Sequence, residues 1–207
     1  MTSGTVLPAE PADPARLALL DAASAILAED GPDGLTVRLI AARAGCSTML
    51  VYSRLGGKQG VVEALWIEGF QRLAAQIQSE PPTGDPLVDL GRCGAQYRTF
   101  ALENRTYYAV MFDRAVPDFE PSAEAGLVGS ATLDVLATQV QRAIDAGAFA
   151  PGDARQVAAC LWAANHGVVS LELTDSGPPD IDWPQCHARV IDAVISGLAA
   201  APHSTGS

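Results

Sequence analysis

The stretch TVRLIAARAGCSTMLVYSRLGGK, residues 36–58, contains the pattern that decides the fold of this chain. Its apolar residues recur at spacings of three and four, before Gly45 and again after Ser47, which predicts two short helices joined by a glycine turn. In a helix-turn-helix of this kind the second helix enters the major groove of DNA and the first crosses the backbone. The stretch carries four basic residues and no acidic residue, so a polyanion could bind here.

The rest of the chain has the opposite charge. The formal net charge of the 207 residues is -11. Residues 34–62 hold four basic and no acidic side chains, whereas residues 63–207 hold eight arginines, no lysine and eighteen acidic residues. The excess of acidic residues argues against general coating of nucleic acid, which depends on Lys and Arg. Any contact with nucleic acid must therefore be local.

The apolar pattern predicts an all-α fold. No segment shows the strict alternation of a strand, and spacings of three and four recur from end to end. Asp13-Pro14 and Asp85-Pro86 each combine an N-cap acid with a proline at the first helical position, and the loop at Gly31 should end the first helix. We expect about nine helices, which begin near residues 14, 37, 48, 58, 86, 105, 122, 153 and 183.

The last two predicted helices, 153–174 and 183–200, each carry two apolar stripes. One stripe can face the core and the other a second subunit, which predicts a homodimer with a four-helix interface. The alternative is a monomer in which both helices are central. The residues assigned to the interface are Leu171, Val190, Val194 and Leu198.

Several classes of function find no support in the sequence. The first residues have neither a basic nor an apolar signal region, and no apolar run is long enough for a membrane span, so we expect a cytoplasmic protein with no membrane partner. The four cysteines are scattered and are interpreted as small apolar side chains, with a redox or metal role as the lesser alternative. No metal site, cofactor motif or catalytic nucleophile is recognisable, so we expect no metal, no cofactor and no enzyme.

The residues of the head combine into a familiar pattern. They read Ala22-Ala23 through Gly31, Thr36-Val37-Arg38-Leu39-Ile40-Ala41, Gly45-Cys46-Ser47, and Val51-Tyr52-Ser53-Arg54-Leu55-Gly56-Gly57-Lys58. Over residues 14–75 this resembles the N-terminal domain of TetR-family transcriptional regulators. The chain departs from the family pattern at Thr48-Met49, where Lys-Gly is frequent, and at Leu55, where an aromatic residue is usual.

The resemblance implies a set of DNA contacts. Tyr52 and Lys58 would contact phosphates, Thr36 would contact the backbone, and Thr48, Met49 and Ser53 would face bases. Because Thr48 and Met49 lack a bidentate donor pair, methyl contacts to thymine are favoured over the reading of guanine. The alternative is that the motif is ordinary helix packing. The full set of candidate DNA-binding residues is Thr36, Arg38, Arg43, Ser47, Thr48, Met49, Tyr52, Ser53, Arg54 and Lys58.

The body has a weaker resemblance. LWAANHGVVSLEL at 161–173 and NRTYYAVMF at 104–112 are similar to segments of the WHG-type regulatory domain in a subset of TetR-like proteins. This implies an effector-binding, dimerising domain, although an aromatic cluster can also be plain core. The candidate ligand-binding residues are Trp66, Phe70, Tyr97, Phe100, Tyr107, Met111, Phe112, Trp162, Asn165 and His166.

The sequence therefore predicts a ligand-responsive transcriptional regulator, a homodimeric repressor that a mostly apolar small-molecule effector releases from a pseudo-palindromic double-stranded operator. The rival predictions are a helical small-molecule-binding protein without specific DNA binding and a helical enzyme whose site is not located. The expected organisation is a disordered tail at 1–12, a helix-turn-helix domain at 13–60, a linking helix at 58–79, a ligand-binding and dimerisation domain at 82–200 and a disordered tail at 201–207.

Overall fold

The computed structural model describes residues 13–174 and 176–199, and these form nine α-helices and no β-strand. The helices are α1 (Pro14–Gly34), α2 (Val37–Arg43), α3 (Thr48–Leu55), α4 (Lys58–Ile77), α5 (Pro86–Glu103), α6 (Arg105–Phe112), α7 (Ala123–Asp145), α8 (Ala154–Leu173) and α9 (Trp183–Leu198). The prediction of an all-α fold is confirmed. The expected tails at 1–12 and 201–207 lie outside the described residues.

The helices begin where the local sequence predicts. Asp13 Oδ1 accepts a hydrogen bond from the N–H of Ala15 at 3.0 Å, and Asp85 Oδ1 accepts one from the N–H of Leu87 at 2.9 Å. In both helices a proline follows the cap, at a position where its missing N–H has no helical partner to lose. Short-range chemistry therefore determines the start of α1 and of α5.

Some helix ends differ from the prediction. The helical backbone breaks at Gly31, where φ is 68°, but one more helical turn follows and α1 continues to Gly34. Pro32 suits the first position of that turn, so the expected loop is largely helical. At the other end of the chain, α9 ends at Leu198 instead of Ala200.

One apolar core joins α1, α2 and α3 to the first half of α4. Leu20 from α1, Ile40 from α2 and Val51 from α3 are fully buried, and Val61 and Leu65 from α4 are at most 1% exposed. These three helices are held by α4, since their few buried residues need a fourth apolar surface. We call residues 13–57 with the start of α4 the head.

A second core lies among α5, α7, α8 and α9. It contains Leu90, Val140, Leu161 and Ile191, one from each helix in that order. Helix α4 also packs against α5, α6 and α7, so it belongs to both parts of the fold. We call α5 to α9 the body. Among the described residues, no helix combines the length and apolarity that a membrane span requires.

A buried carboxylate fixes the connection between α4 and α5. Asp89 accepts hydrogen bonds from the N–H and the hydroxyl of Thr83, both at 2.8 Å, and from Arg142 of α7 at 3.0 Å. The backbone hydrogen bond from Thr83, followed by the hydroxyl and Arg142, holds the pKa of Asp89 below its usual range. The connection is thereby tied to α7.

Helices α3 and α4 approach very closely at Gly60. A Cβ at this position would overlap the carbonyl oxygen of Leu55 and lie 2.8 Å from its carbonyl carbon. Backbone atoms cannot rotate away as a side chain can, so α3 would have to move as a unit. Glycine at residue 60 therefore sets the position of α3 on α4.

We expect Gly60→Ala to lower the free energy of unfolding by about 1–3 kcal/mol, the usual cost of overpacking. Chemical denaturation followed by circular dichroism measures it. Gly91→Ala is the matched control, because a Cβ there meets no atom within 4 Å and alanine favours the helix. An equal or greater stability of Gly60→Ala relative to the unsubstituted chain would contradict this account of the α3–α4 contact.

Candidate functional site

The helix-turn-helix is built by two hydroxyl caps and one turn. Thr36 Oγ1 accepts a hydrogen bond from the N–H of Leu39 at 3.2 Å, and Ser47 Oγ accepts one from the N–H of Leu50 at 3.4 Å. Between α2 and α3 the chain turns at Gly45 with φ of 66°, a left-handed conformation that favours glycine. These contacts leave the outer faces of α2 and α3 available to solvent.

Every residue predicted to bind DNA is at least partly exposed, and all ten lie on or beside α2 and α3. Met49 and Tyr52 are the most notable, with 72% and 57% of their surface exposed. Large apolar side chains at such exposure have no role in the core of the chain. We call these ten residues the head surface: Thr36, Arg38, Arg43, Ser47, Thr48, Met49, Tyr52, Ser53, Arg54 and Lys58.

Three of the four basic groups on the head surface already have partners. Arg43 donates two hydrogen bonds to the carboxylate of Glu29, at 2.6 and 2.5 Å. Arg54 forms an ion pair with Asp13 at 3.0 Å, and Lys58 Nζ donates to the carbonyl of Pro32 at 3.0 Å. Arg38 forms no ion pair with any residue between 13 and 174 or between 176 and 199.

The partners of these cations all come from α1 or its N-cap. Residues 36–58 contain no acidic residue, and the positions of Glu29 and Asp13 beside them could not be predicted from the sequence. The hydrogen bonds from Arg43 hold the pKa of the Glu29 carboxyl below its usual range. The positive charge of the head surface is therefore smaller than its residue count indicates.

A cavity of about 340 Å³ lies in the body. Its size is within the range of small-molecule sites. Its walls come from α4, α5, α7, α8 and α9, with Phe112 at the end of α6. The lining residues are Trp66, Phe70, Leu73, Ile77, Leu90, Cys93, Gly94, Tyr97, Phe112, Gly126, Gly129, Ser130, Thr132, Leu133, Leu136, Leu161, Trp162, Asn165 and Ile191.

Six of the ten candidate ligand-binding residues line this cavity, namely Trp66, Phe70, Tyr97, Phe112, Trp162 and Asn165. The other four do not. Phe100 is 1% exposed within the core, and the Tyr107 ring packs beneath the guanidinium of Arg72, 4.5 Å from its centroid. Met111 packs against Gly69 of α4, where its sulfur lies 2.5 Å from the position of a Cβ. His166 is also absent from the lining.

Helix rotation explains this division. Successive residues of an α-helix point about 100° apart, so Asn165 faces the cavity while His166 faces α5 and α6. The same holds in α6, where Tyr107 and Met111 face α4 and Phe112 faces the cavity. The contributions of α7 to the cavity were not predicted from the sequence. Gly126 of α7 borders open space, whereas Gly129 allows close packing, since a Cβ there would lie 2.8 Å from the ring of Trp66.

The cavity wall is largely apolar, and none of the described residues that line it carries a charged side chain. Burial, with a smaller contribution from Asp89, raises the pKa of the Cys93 thiol to about 11, so the thiol stays protonated at neutral pH. Thr132 Oγ1 donates to a backbone carbonyl, either that of Phe70 or that of Val128, both at 3.2 Å. The remaining polar lining groups are Ser130, Tyr97, Asn165 and the indole N–H groups of Trp66 and Trp162.

Beside this wall, three side chains form a largely buried hydrogen-bond cluster, and one of them, Tyr97, also lines the cavity. The hydroxyl oxygens of Tyr108 and Tyr97 lie 2.7 and 3.0 Å from Nδ1 of His166, and 3.3 Å from each other. Burial raises the pKa of Tyr97 to about 12 and also raises that of Tyr108. Burial lowers the pKa of His166, against a smaller opposing effect of Asp113, so the neutral imidazole is favoured.

The residues predicted for a subunit interface lie on the outer side of α8 and α9. Leu171 is 48% exposed. Val190, Val194 and Leu198 are half-buried, and Val194 and Leu198 also pack against the core of the body. Leu171 is thus the most accessible member of the set. Within the part of the chain that the structure describes, no group of three or more His, Cys, Asp or Glu side chains is placed to hold a metal ion.

Two family models match the chain. Residues 19–65 match the model described as bacterial regulatory proteins, tetR family, and residues 90–195 match the model described as tetracyclin repressor-like, C-terminal domain. The second match covers the cavity walls in the body. No curated protein sequence matches the chain. The more specific likeness to the WHG-type subset remains a prediction.

Solved structures share the fold over nearly the whole chain. A Rhodococcus sp. RHA1 protein of unknown function is 27% identical with a TM-score of 0.75, over 93% of this chain and 99% of its own. The TetR-family regulator PfmR from Thermus thermophilus is 17% identical with a TM-score of 0.67, over 87% and 98%. SmeT, in complex with triclosan, is 22% identical with a TM-score of 0.69, over 94% and 98%. The head, the helical body and both model matches agree, and the chain belongs to the TetR family of bacterial regulatory proteins.

Proposed function

We propose that this regulator is a homodimeric repressor that binds a pseudo-palindromic operator through its head surface and leaves it when a small molecule enters the cavity. The observation that carries the proposal is the position of α4. Val61, Val62 and Leu65 near its start belong to the core of the head, and from Trp66 onward it supplies Trp66, Phe70, Leu73 and Ile77 to the cavity wall. A ligand in the cavity therefore contacts the helix on which the head is built.

The route from the cavity to the head is short. Thr132 of α7 can hydrogen-bond to the carbonyl of Phe70 on α4, and the N–H of Ser122 donates to Glu63 of α4 at 3.2 Å. A ligand that separates α7 from α4 changes the tilt of α4, and α3 moves with it because of the close contact at Gly60. Coupling between the sites requires that the ligand bind the operator-incompetent arrangement more tightly, by about 1–3 kcal/mol.

The wall of the cavity defines the kind of effector. Its lining is apolar with a few neutral polar groups, so a mainly apolar, uncharged molecule fits it. The complex of SmeT with triclosan supports a small-molecule effector for this fold. The effector domain would span residues 82–200, with α4 (predicted as 58–79) as the link to the helix-turn-helix domain at 13–60. Binding to operator DNA places the protein in the bacterial cytoplasm.

The outer faces of α8 and α9 are the proposed dimer interface. On α8, Leu171 follows Cys160, Ala163 and Gly167 at spacings of three and four, and all four are exposed, so a second helix can approach closely. Val190, Val194 and Leu198 of α9 would complete a four-helix contact across a two-fold axis. The two heads would then reach successive major grooves on one side of the operator.

The paired cations of the head surface favour one rival function. If Arg43, Arg54 and Lys58 keep their partners on α1 in every state, the chain would be a small-molecule-binding protein without specific DNA binding. Selection of bound fragments from random duplex DNA, repeated at several salt concentrations, separates the two. An inverted repeat with a steep salt dependence supports the repressor, whereas no enrichment with a folded dimer supports the rival.

We expect Glu29→Gln to strengthen binding to the selected operator several-fold, because it frees Arg43 for a phosphate. The slope of log affinity against log salt should become steeper by about one. Fluorescence anisotropy with labelled operator measures both quantities. Glu103→Gln is the control, because it removes the same charge from an exposed site on the body. Equal effects of the two substitutions would mean that net charge alone is responsible.

We expect Leu171→Asp to produce monomers with roughly tenfold weaker operator binding, since a carboxylate in an apolar interface has no partner. Light scattering after size-exclusion chromatography gives the mass. Leu127→Asp is the matched control, because Leu127 is 70% exposed on α7, away from the proposed interface. A dimer that survives Leu171→Asp would overturn this interface.

A further inference from the structure

Asn165 is the only amide side chain among the described residues that line the cavity, and its orientation is fixed from behind. It is 6% exposed, its Nδ2 donates to the carbonyl of Gly94 at 3.4 Å, and its Oδ1 lies 2.9 Å from Nε2 of His187. The reverse amide orientation would set Oδ1 against the Gly94 carbonyl, and two acceptors repel. Nε2 of His187 must therefore carry the proton that Asn165 accepts.

In this arrangement one of the two N–H groups of the Asn165 amide has no partner among the described residues. The NH₂ group has two donors, and the described residues provide a partner for one, through a long contact with Gly94. Since Asn165 lines the cavity, a bound molecule can accept from its side chain. His187 is itself 6% exposed and is absent from the lining. His187 would therefore influence a bound ligand only through Asn165.

The hydroxyl of Tyr97 is a second donor in the same wall. If Nδ1 of His166 is the acceptor, its single lone pair is taken by Tyr108, whose contact is the shorter at 2.7 Å. If Nδ1 carries the proton, Tyr108 accepts it and can donate to Tyr97 at 3.3 Å. In both tautomers the O–H of Tyr97 keeps at most a long or shared hydrogen bond. A ligand oxygen can therefore accept a hydrogen bond from the O–H of Tyr97 without the loss of a strong hydrogen bond.

Three other polar side chains of the wall already have a hydrogen-bond partner or are weak donors. Ser130 Oγ accepts from Arg155 at 2.7 Å, the hydroxyl of Thr132 donates to a backbone carbonyl, and the thiol of Cys93 is protonated and a weak donor. Ser130 keeps its own O–H as a donor, and the indole N–H groups of Trp66 and Trp162 are further donors, so every donor of the described wall is uncharged. Asn165 and Tyr97 are the two donors whose side chains are also bonded to buried side chains outside the lining, His187 and Tyr108 respectively. A carboxylate would lose its hydration without a cation to replace it, and an ammonium group would find no carboxylate among the lining residues.

We propose that the effector is an uncharged, mainly apolar molecule with one hydrogen-bond acceptor oxygen, such as a carbonyl, which binds Asn165 Nδ2–H and Tyr97 O–H, and that His187 is a positioning residue for Asn165. This inference rests on the proposed sensing role of the cavity. It adds the chemical class of the ligand and a residue outside the cavity that determines its recognition.

The test uses two competitors of nearly equal shape, benzophenone and diphenylmethane, which differ by C=O in place of CH₂. Each competitor displaces the neutral dye N-phenyl-1-naphthylamine from the full-length dimer, and the displacement is monitored by the fluorescence of the dye. We expect benzophenone to bind about tenfold more tightly, the effect of one or two hydrogen bonds in an apolar site. Benzhydrylamine, as the cation, and diphenylacetate, as the anion, should compete more weakly than benzophenone.

The variants are compared by the ratio of the benzophenone affinity to the diphenylmethane affinity. A general loss of packing would lower both affinities and leave this ratio nearly unchanged. Asn165→Leu and Tyr97→Phe should each reduce the ratio roughly threefold or more, with diphenylmethane affinity nearly unchanged. His187→Leu should reduce it as Asn165→Leu does, whereas His187→Gln, which can donate to Oδ1, should restore it. Thr174→Val is the control, because its hydroxyl bonds to the carbonyl of Ser170 in the preceding turn of α8.

The outcomes separate this inference from the proposed function. If the dye binds but the two competitors are equal, or if the ratio survives both Asn165→Leu and Tyr97→Phe, the acceptor inference is overturned and the sensing cavity stands. If His187→Leu leaves the ratio intact, the positioning role is overturned. If neither the dye nor either competitor binds the folded dimer, both this inference and the sensing role of the cavity fail.

Discussion

The structure depends on the burial of one helix, α4, against both the head and the body. Val61 and Leu65 complete the core that holds the first three helices, while Phe70 and Leu73 face the body. Short helices of seven or eight residues are marginal alone, so α2 depends on its packing against α1 and α3, and α3 depends in addition on its contact with α4. Any change in the tilt of α4 must therefore be shared by the head.

The local features of the fold could be predicted from the sequence. Proline after an acidic cap, hydroxyl caps at Thr36 and Ser47, and the glycine at residue 45 act within one turn of the chain, and the structure places the helices accordingly. The exposure of the ten head-surface residues also follows from helical periodicity. What these residues bind remains a prediction, because exposure alone does not identify a binding partner.

Other features depend on contacts between distant parts of the chain, and the sequence pattern did not reveal them. The carboxylates of Glu29 and Asp13 reach the head surface only because α1 packs across α2 and α3. The cavity likewise depends on the rotation of each helix, so of the neighbours Asn165 and His166 only the first lines it. Aromatic content pointed to the body, but it could not separate lining residues from core residues such as Phe100.

The uneven distribution of charge gives the molecule an electric polarity. The body carries most of the net charge of -11, and phosphates repel it, whereas the head surface holds four basic side chains and no acidic one. Near a duplex the protein experiences a torque that turns the head toward the DNA, so encounters are oriented before any base is contacted. The same repulsion keeps the body away from the duplex, so non-specific contact with phosphates is confined to the head.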